Sequence, residues 1–160
     1  MIVQTIVCGI DGSPGARSAL RVATELAGAL QLRVVAVHVV DALGGVQKLD
    51  EPPVILRLRG RAEKLLANVL YDEELLGRVD WRAEVGDVAE RLAAVAADEQ
   101  ALLILLGARR KGKARPFLRS RLAEEMAATS SIPVVVVPPQ VSSAEAPVQS
   151  RRALWTVEVG

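Results

Sequence analysis

Apolar positions along the chain fall into short unbroken runs, separated by segments in which they recur at helical spacing. Residues 2–10 (IVQTIVCGI) form the first run, which stops at Asp11-Gly12-Ser13. Ser13 followed by Pro14 predicts a helix start: the hydroxyl can accept from an amide of the first turn, and proline stands where no amide hydrogen is needed. Ala16, Ala19, Leu20, Ala23, Leu26, Ala27 and Leu30 continue at helical spacing. Residues 32–40 (LRVVAVHVV) predict a second strand, closed by Asp41. Gly44-Gly45 and Pro52-Pro53 mark a loop, and a long helix is expected from about Val54 into the seventies, with Leu58, Leu65, Leu66, Val69 and Leu70 among its apolar positions. Residues 79–85 (VDWRAEV) alternate, which predicts a strand with one wetter face at a sheet edge. Gly86-Asp87 turns into a helix carrying Val88, Leu92, Val95 and Ala96, with Asp87 as its cap. Residues 101–107 predict a buried strand, 118–128 a helix, and Ile132 to Pro138 a fifth strand. Strands alternating with helices through five units predict an α/β fold: an open five-stranded parallel sheet, Rossmann-like, with helices on both faces.

A chain of 160 residues, 51% apolar and rich in Val, Leu and Ala, is long enough for one domain with a real core. The division expected is 1–139 for the α/β domain and 140–160 for a C-terminal tail, a polar linker followed by an alternating stretch, Leu154 to Val159, that reads as an extra strand. The one cysteine, Cys8, forbids an internal disulfide and fits a reducing compartment, and its strand position reads as a buried packing thiol. No targeting segment is visible, and the longest uncharged run, 126–144, holds three prolines, so no membrane partner is expected and the reading is cytoplasmic.

Charge changes the picture at one place. Seven basic residues fall within 109–121, with no acid until Glu124. Without them the chain keeps 13 basic against 19 acidic residues, so a net charge of +1 conceals an asymmetry. The segment also spells Gly107-x4-Gly112-Lys113, but Ala114 stands where a P-loop needs a magnesium-binding hydroxyl, and the motif follows the fourth strand instead of opening the fold. A dedicated nucleic-acid surface is not expected, because Phe117 is the one aromatic in the loop and the remaining charge is acidic. In an open α/β sheet, ligands gather beyond the carboxyl ends of the strands where strand order reverses. If the first and fourth strands are innermost, Asp11-Gly12-Ser13 and the basic loop border one crevice.

The segments IVCGIDGSPGARSAL, VVAVHVVD, AEVGDVAERLAAVAADEQALLILLGARRKG and SSIPVVVVP, in this order over about residues 1–138, together resemble the universal stress protein family. That resemblance implies an adenine nucleotide alpha hydrolase-like domain that dimerises through its last strand and, in one branch, binds ATP. The family's motif, Gly-x2-Gly-x9-Gly-Ser/Thr, falls on Gly107, Arg110, Ser120 and Arg121, so one of the four positions is kept. Asp11 matches the family's acid after the first strand, and Val39 its second-strand contact. Glycine lets a backbone approach phosphate closely and take positive φ, which arginine resists and serine does poorly. Weak or no ATP binding is therefore expected. Two readings of the loop stay open: Arg110, Lys111, Lys113 and Arg121, around Gly112, hold an inorganic anion by their side chains, or the charges are a solvated face.

The resemblance implies binding and signalling or stress protection rather than turnover, with ATP or another adenine nucleotide as the ligand. The alternative is a nucleotide-binding enzyme, a weak ATPase or nucleotidyl-transfer type, using the crevice between the first and fourth strands. No residue is assigned a catalytic role: Ser13 reads as a cap, His38 as a hydrogen-bonded strand histidine, and no Cys/His/Asp cluster has metal-ligand spacing. A homodimer is expected through the fifth strand, Val134–Val137, bracketed by Pro133 and Pro138, with Trp155 of the tail as an apolar anchor.

Overall fold

The computed structural model describes residues 3–41, 52–108 and 121–140, and the backbone of 156–158. Strand β1, Thr5–Gly9, leads through the turn at Gly12 into helix α1, Pro14–Leu30. Ser13 caps that helix as its sequence predicts, its hydroxyl accepting from the Ala16 amide at 3.2 Å. Strand β2 is Arg33–Asp41, α2 is Pro52–Asp72, and β3 is Asp80–Gly86. Asp87 caps α3, Val88–Asp98, by accepting from the Glu90 amide at 2.9 Å. Strand β4, Ala101–Gly107, helix α4, Arg121–Thr129, and strand β5, Val134–Val137, complete the five units. A sixth strand, β6, Thr156–Glu158, follows.

The strand order is β3-β2-β1-β4-β5-β6. The first five strands run parallel, as expected, and β3 lies at one edge, as its alternation predicts. At the other edge β6 runs antiparallel to β5, with Val135 opposite Val157. The edge that the sequence offered to a second subunit is thus occupied by the chain's own last strand. Order reverses between β1 and β4, and these are the two central strands.

Period-two alternation divides the sheet's side chains between two cores. Ile6, Cys8, Val34, Ala36 and Leu105 pack on one face against α1 and α2, with Leu20, Leu66 and Leu70. Val7, Val35, Val37, Ile104 and Leu106 pack on the other with Leu92, Val95 and Met126. Cys8 lies wholly inside the first core, and desolvation there pushes its thiol far above the usual range, so it is a packing group.

An ion cluster fastens α1 to the end of α2. Arg21 grips Glu73 with two hydrogen bonds, 2.6 and 2.9 Å, while Arg17 reaches Glu73 at 3.5 Å and Asp72 at 3.0 Å. The hydrogen bonds from Arg21 hold the Glu73 carboxyl below the ordinary glutamate range, against the opposing pull of burial. A lowered folded-state pKa stabilises the fold above the unfolded value, near 4.3, and that stability is lost as pH falls through the folded value. Glu73→Gln is expected to cost about 1 kcal/mol at neutral pH and to flatten the acid limb of the stability curve, read from urea midpoints across pH 3–7. An unchanged acid limb would show that the cluster contributes nothing.

Candidate functional site

The carboxyl ends of β2, β1 and β4 stand side by side, and they set the positions of Asp11, Val39 and Gly107. Gly9 lies opposite Val37, and the Ile10 amide donates to the Val37 carbonyl at 2.8 Å. Here β1 stops while β2 continues to Asp41. Val37 directs its backbone polar groups toward β1, so Val39, two residues on, directs its own N–H and C=O past the end of β1. Its side chain is buried on the α3 face at 8% exposure. A ligand in the crevice would therefore meet Val39 through its backbone, as a donor–acceptor pair suited to the edge of a heterocycle.

Asp11 is exposed in the turn after β1, and its Oδ1 accepts from the Ser13 amide at 2.9 Å, an Asx-type turn that fixes the carboxylate over the start of α1. Gly12, at φ +79°, completes that turn. His38 donates from Nδ1 to the Ile10 carbonyl and so ties the β1 exit to β2. Ser13, His38 and Asp11 thus each have a structural hydrogen bond of their own, and none addresses another as a nucleophile–base pair requires.

Gly107 closes β4 against the first turn of α1. A Cβ there would overlap the backbone of Gly15 and Ala16, and a Cβ on Gly15 would overlap the Ala108 carbonyl. The two glycines therefore let strand and helix touch backbone to backbone. That accounts for Gly107 by packing alone, and the sequence, which singled it out as a phosphate glycine, gave no sign of Gly15 as its counterpart. Arg110, Gly112 and Ser120, with Lys111 and Lys113, lie outside the described residues. Arg121 opens α4 with its side chain 92% exposed, donating from Nε to Glu125 Oε1 at 3.1 Å.

A cleft of about 380 Å³ borders the crevice on the α2 side. Gly12, Arg17, Arg61, Lys64, Leu65 and Asn68 line it. Sequence reasoning followed only the apolar face of α2 and missed these cations. Their 4-3-4 spacing from Arg57 through Arg61 and Lys64 to Asn68 was the available signal. Among the described residues no group of His, Cys, Asp and Glu could hold a metal ion, and no helix is long and apolar enough to cross a membrane.

The sequence profile of the universal stress protein family matches residues 3–138. No curated protein shows significant similarity to the chain. Among solved structures, a universal stress family protein from Burkholderia pseudomallei is 26% identical, with a TM-score of 0.60, covering 87% of this chain and 98% of its own. A universal stress protein in complex with cAMP is 19% identical, with a TM-score of 0.63 and coverages of 88% and 100%. One from Archaeoglobus fulgidus in complex with dAMP is 18% identical, with a TM-score of 0.54 and coverages of 85% and 98%.

Proposed function

Because the chain belongs to the universal stress protein family, we propose that it is a binding and stress-response module that takes an adenine nucleotide or a small anion at the crevice beyond β1, β2 and β4, without turning it over. Asp11 and the Val39 backbone would meet the adenosine end. Gly107, Arg110, Gly112, Ser120 and Arg121 belong to the anion end. The relatives in complex with cAMP and dAMP support an adenine nucleotide as the ligand class. The observation that carries the reading is the pairing of a retained adenosine side with an altered phosphate side. Asp11 and Val39 each stand two residues beyond the paired Gly9 and Val37, at the carboxyl ends of adjacent strands, whereas three of the four phosphate positions have lost glycine or hydroxyl. Such a site favours ligands with fewer phosphates than ATP. The structural hydrogen bonds of Ser13 and His38 favour binding over an ATPase or nucleotidyl-transfer role. Mass spectrometry of small molecules retained through gentle purification tests the reading. A monophosphate or cyclic nucleotide, or an inorganic anion, is the expected occupant, and stoichiometric ATP would overturn it.

The same reading makes the protein a homodimer on the β5 side of the sheet in a cytoplasmic setting. Because β6 covers β5, the tail competes with the partner for the Val134–Val137 edge. Deleting residues 141–160, which spares the hydrogen bond from the Gln140 amide to buried Ser18, is expected to tighten dimerisation, read by light scattering across a dilution series. A truncated chain that stays monomeric where the full chain is dimeric would mean that the tail builds the interface instead.

A further inference from the structure

The cleft between α1 and α2 carries positive charge that the fold does not use. Arg57, Arg61, Lys64 and Asn68 follow one another at four-, three- and four-residue steps, so they form a single stripe along α2. No acidic residue stands three or four positions from Arg57, Arg61 or Lys64, and like charges at that spacing destabilise an isolated helix. Elsewhere on the surface Arg17, Arg21, Arg33, Arg82 and Arg121 meet carboxylates, and the exposed Arg78 and Arg91 stand apart from one another in sequence, so what distinguishes the α2 cations is that they are gathered along one cleft. Arg61 and Lys64 meet no carboxylate among the described residues. Both line the 380 Å³ cleft with Arg17, whose guanidinium is held from behind by Asp72 and Glu73. Leu65 and Gly12 give the lining its apolar part, and a Cβ added to Gly12 would sit 3.7 Å from a Leu65 methyl. Asn68 adds an amide at the end of the stripe.

We propose that this cleft is an anion site for a small phosphorylated molecule, with Arg61 and Lys64 taking the phosphate, Asn68 supplying a neutral donor, and Leu65 and Gly12 bearing the rest of the ligand. Arg61 offers a planar fork that can bind phosphate through two parallel hydrogen bonds, and Lys64 offers a compact charge one helical turn away. The depression is open to solvent and has room for a sugar phosphate or a mononucleotide. The cations proposed to take the phosphate both lie on α2, and the proposal does not depend on adenosine binding at Asp11 and Val39.

The test is calorimetric titration of the full chain with inorganic tripolyphosphate and, separately, with ADP. The paired substitution Arg61→Gln with Lys64→Gln is compared with Arg78→Gln with Arg91→Gln, which removes the same charge elsewhere. All four positions are exposed, so both variants should fold, and melting curves check this; removal of the like-charge stripe should leave the α2 variant no less stable than the parent. Tripolyphosphate is expected to bind saturably, to lose about tenfold or more in affinity in the α2 variant, and to change by no more than about twofold in the control, the share of a screened distant charge. ADP binding much more tightly than tripolyphosphate, with the same loss, would identify the ligand as a nucleotide; equal affinities would identify a plain phosphate site. The proposal is overturned if the parent shows no saturable binding at millimolar concentration, if both variants lose affinity equally, or if the α2 variant binds like the parent.

Discussion

Gly107→Val should destabilise the fold by about 3 kcal/mol or more, the largest loss expected from any single glycine replacement described above. The atoms that a Cβ would overlap are backbone atoms of Gly15 and Ala16, which cannot rotate aside as a side-chain tip can. Relief requires α1 to move away from β4, and α1 carries Ala16, Ala19, Leu20 and Ala23, all nearly or fully buried. At the usual sensitivity of a chain this size, a loss of that kind lowers the melting temperature by about 6–12 °C. Gly28→Ala is the matched control: no atom lies within 4 Å of the added carbon, and the loss of backbone freedom in the unfolded chain should stabilise it by about 0.5–1 kcal/mol. Differential scanning calorimetry of the two variants reads both signs. A Gly107→Val protein that melts with the parent would show that the strand–helix contact is looser than the structure describes.

ATP should bind with a dissociation constant far weaker than micromolar. Three positions that would supply close backbone approach or a hydroxyl to phosphates are Arg110, Ser120 and Arg121 here. Losing two or three hydrogen bonds to a charged phosphate, each about 1.5–3 kcal/mol, removes several orders of magnitude in affinity. Arg121 does not obviously restore them, since its guanidinium donates to Glu125 along its own helix. Titration calorimetry decides the matter, and a micromolar or tighter constant for the parent chain would contradict it. The converse experiment is sharper. The triple replacement Arg110→Gly, Ser120→Gly and Arg121→Ser should raise ATP affinity by at least about tenfold; no gain would mean that the loop's substitutions are not what limits binding.

The fold was legible because its signals are local and agree with one another. Ser13-Pro14 specifies a helix start from two residues, the unbroken run at 101–107 specifies a buried strand, and the alternation at 79–85 specifies an edge. The boundaries that moved did so for equally local reasons: Pro133 has no amide hydrogen for a ladder, so β5 begins at Val134, and α2 begins earlier than expected because proline suits a helix's first turn, so Pro52 and Pro53 lie inside it. The site was legible only in part. Asp11 and Val39 were singled out by the family resemblance, and what could be read from the residues themselves is that each lies at the end of a strand. The contact of Gly107 with Gly15 could not, because it depends on how closely a strand and a helix pack across more than half the chain. Arg61 and Lys64 went unread for another reason: on a helix followed by its apolar stripe, the opposite face passes as solvated by default.

The strand order also imposes a timetable on synthesis. Strand β1 pairs on one side with β2 soon after it is made, Thr5 opposite Arg33, but on its other side it must wait for Ala101. Those positions lie about 68 residues apart, roughly 3–14 s at ordinary rates of translation. Throughout that interval an apolar strand, TIVCG, presents an unpaired edge in the growing chain. The first half of the protein can form local pairs yet cannot finish its sheet, so commitment to the native state is deferred until β4 arrives. An arrest between the two events would leave a half-sheet whose bare edge invites pairing with other nascent chains.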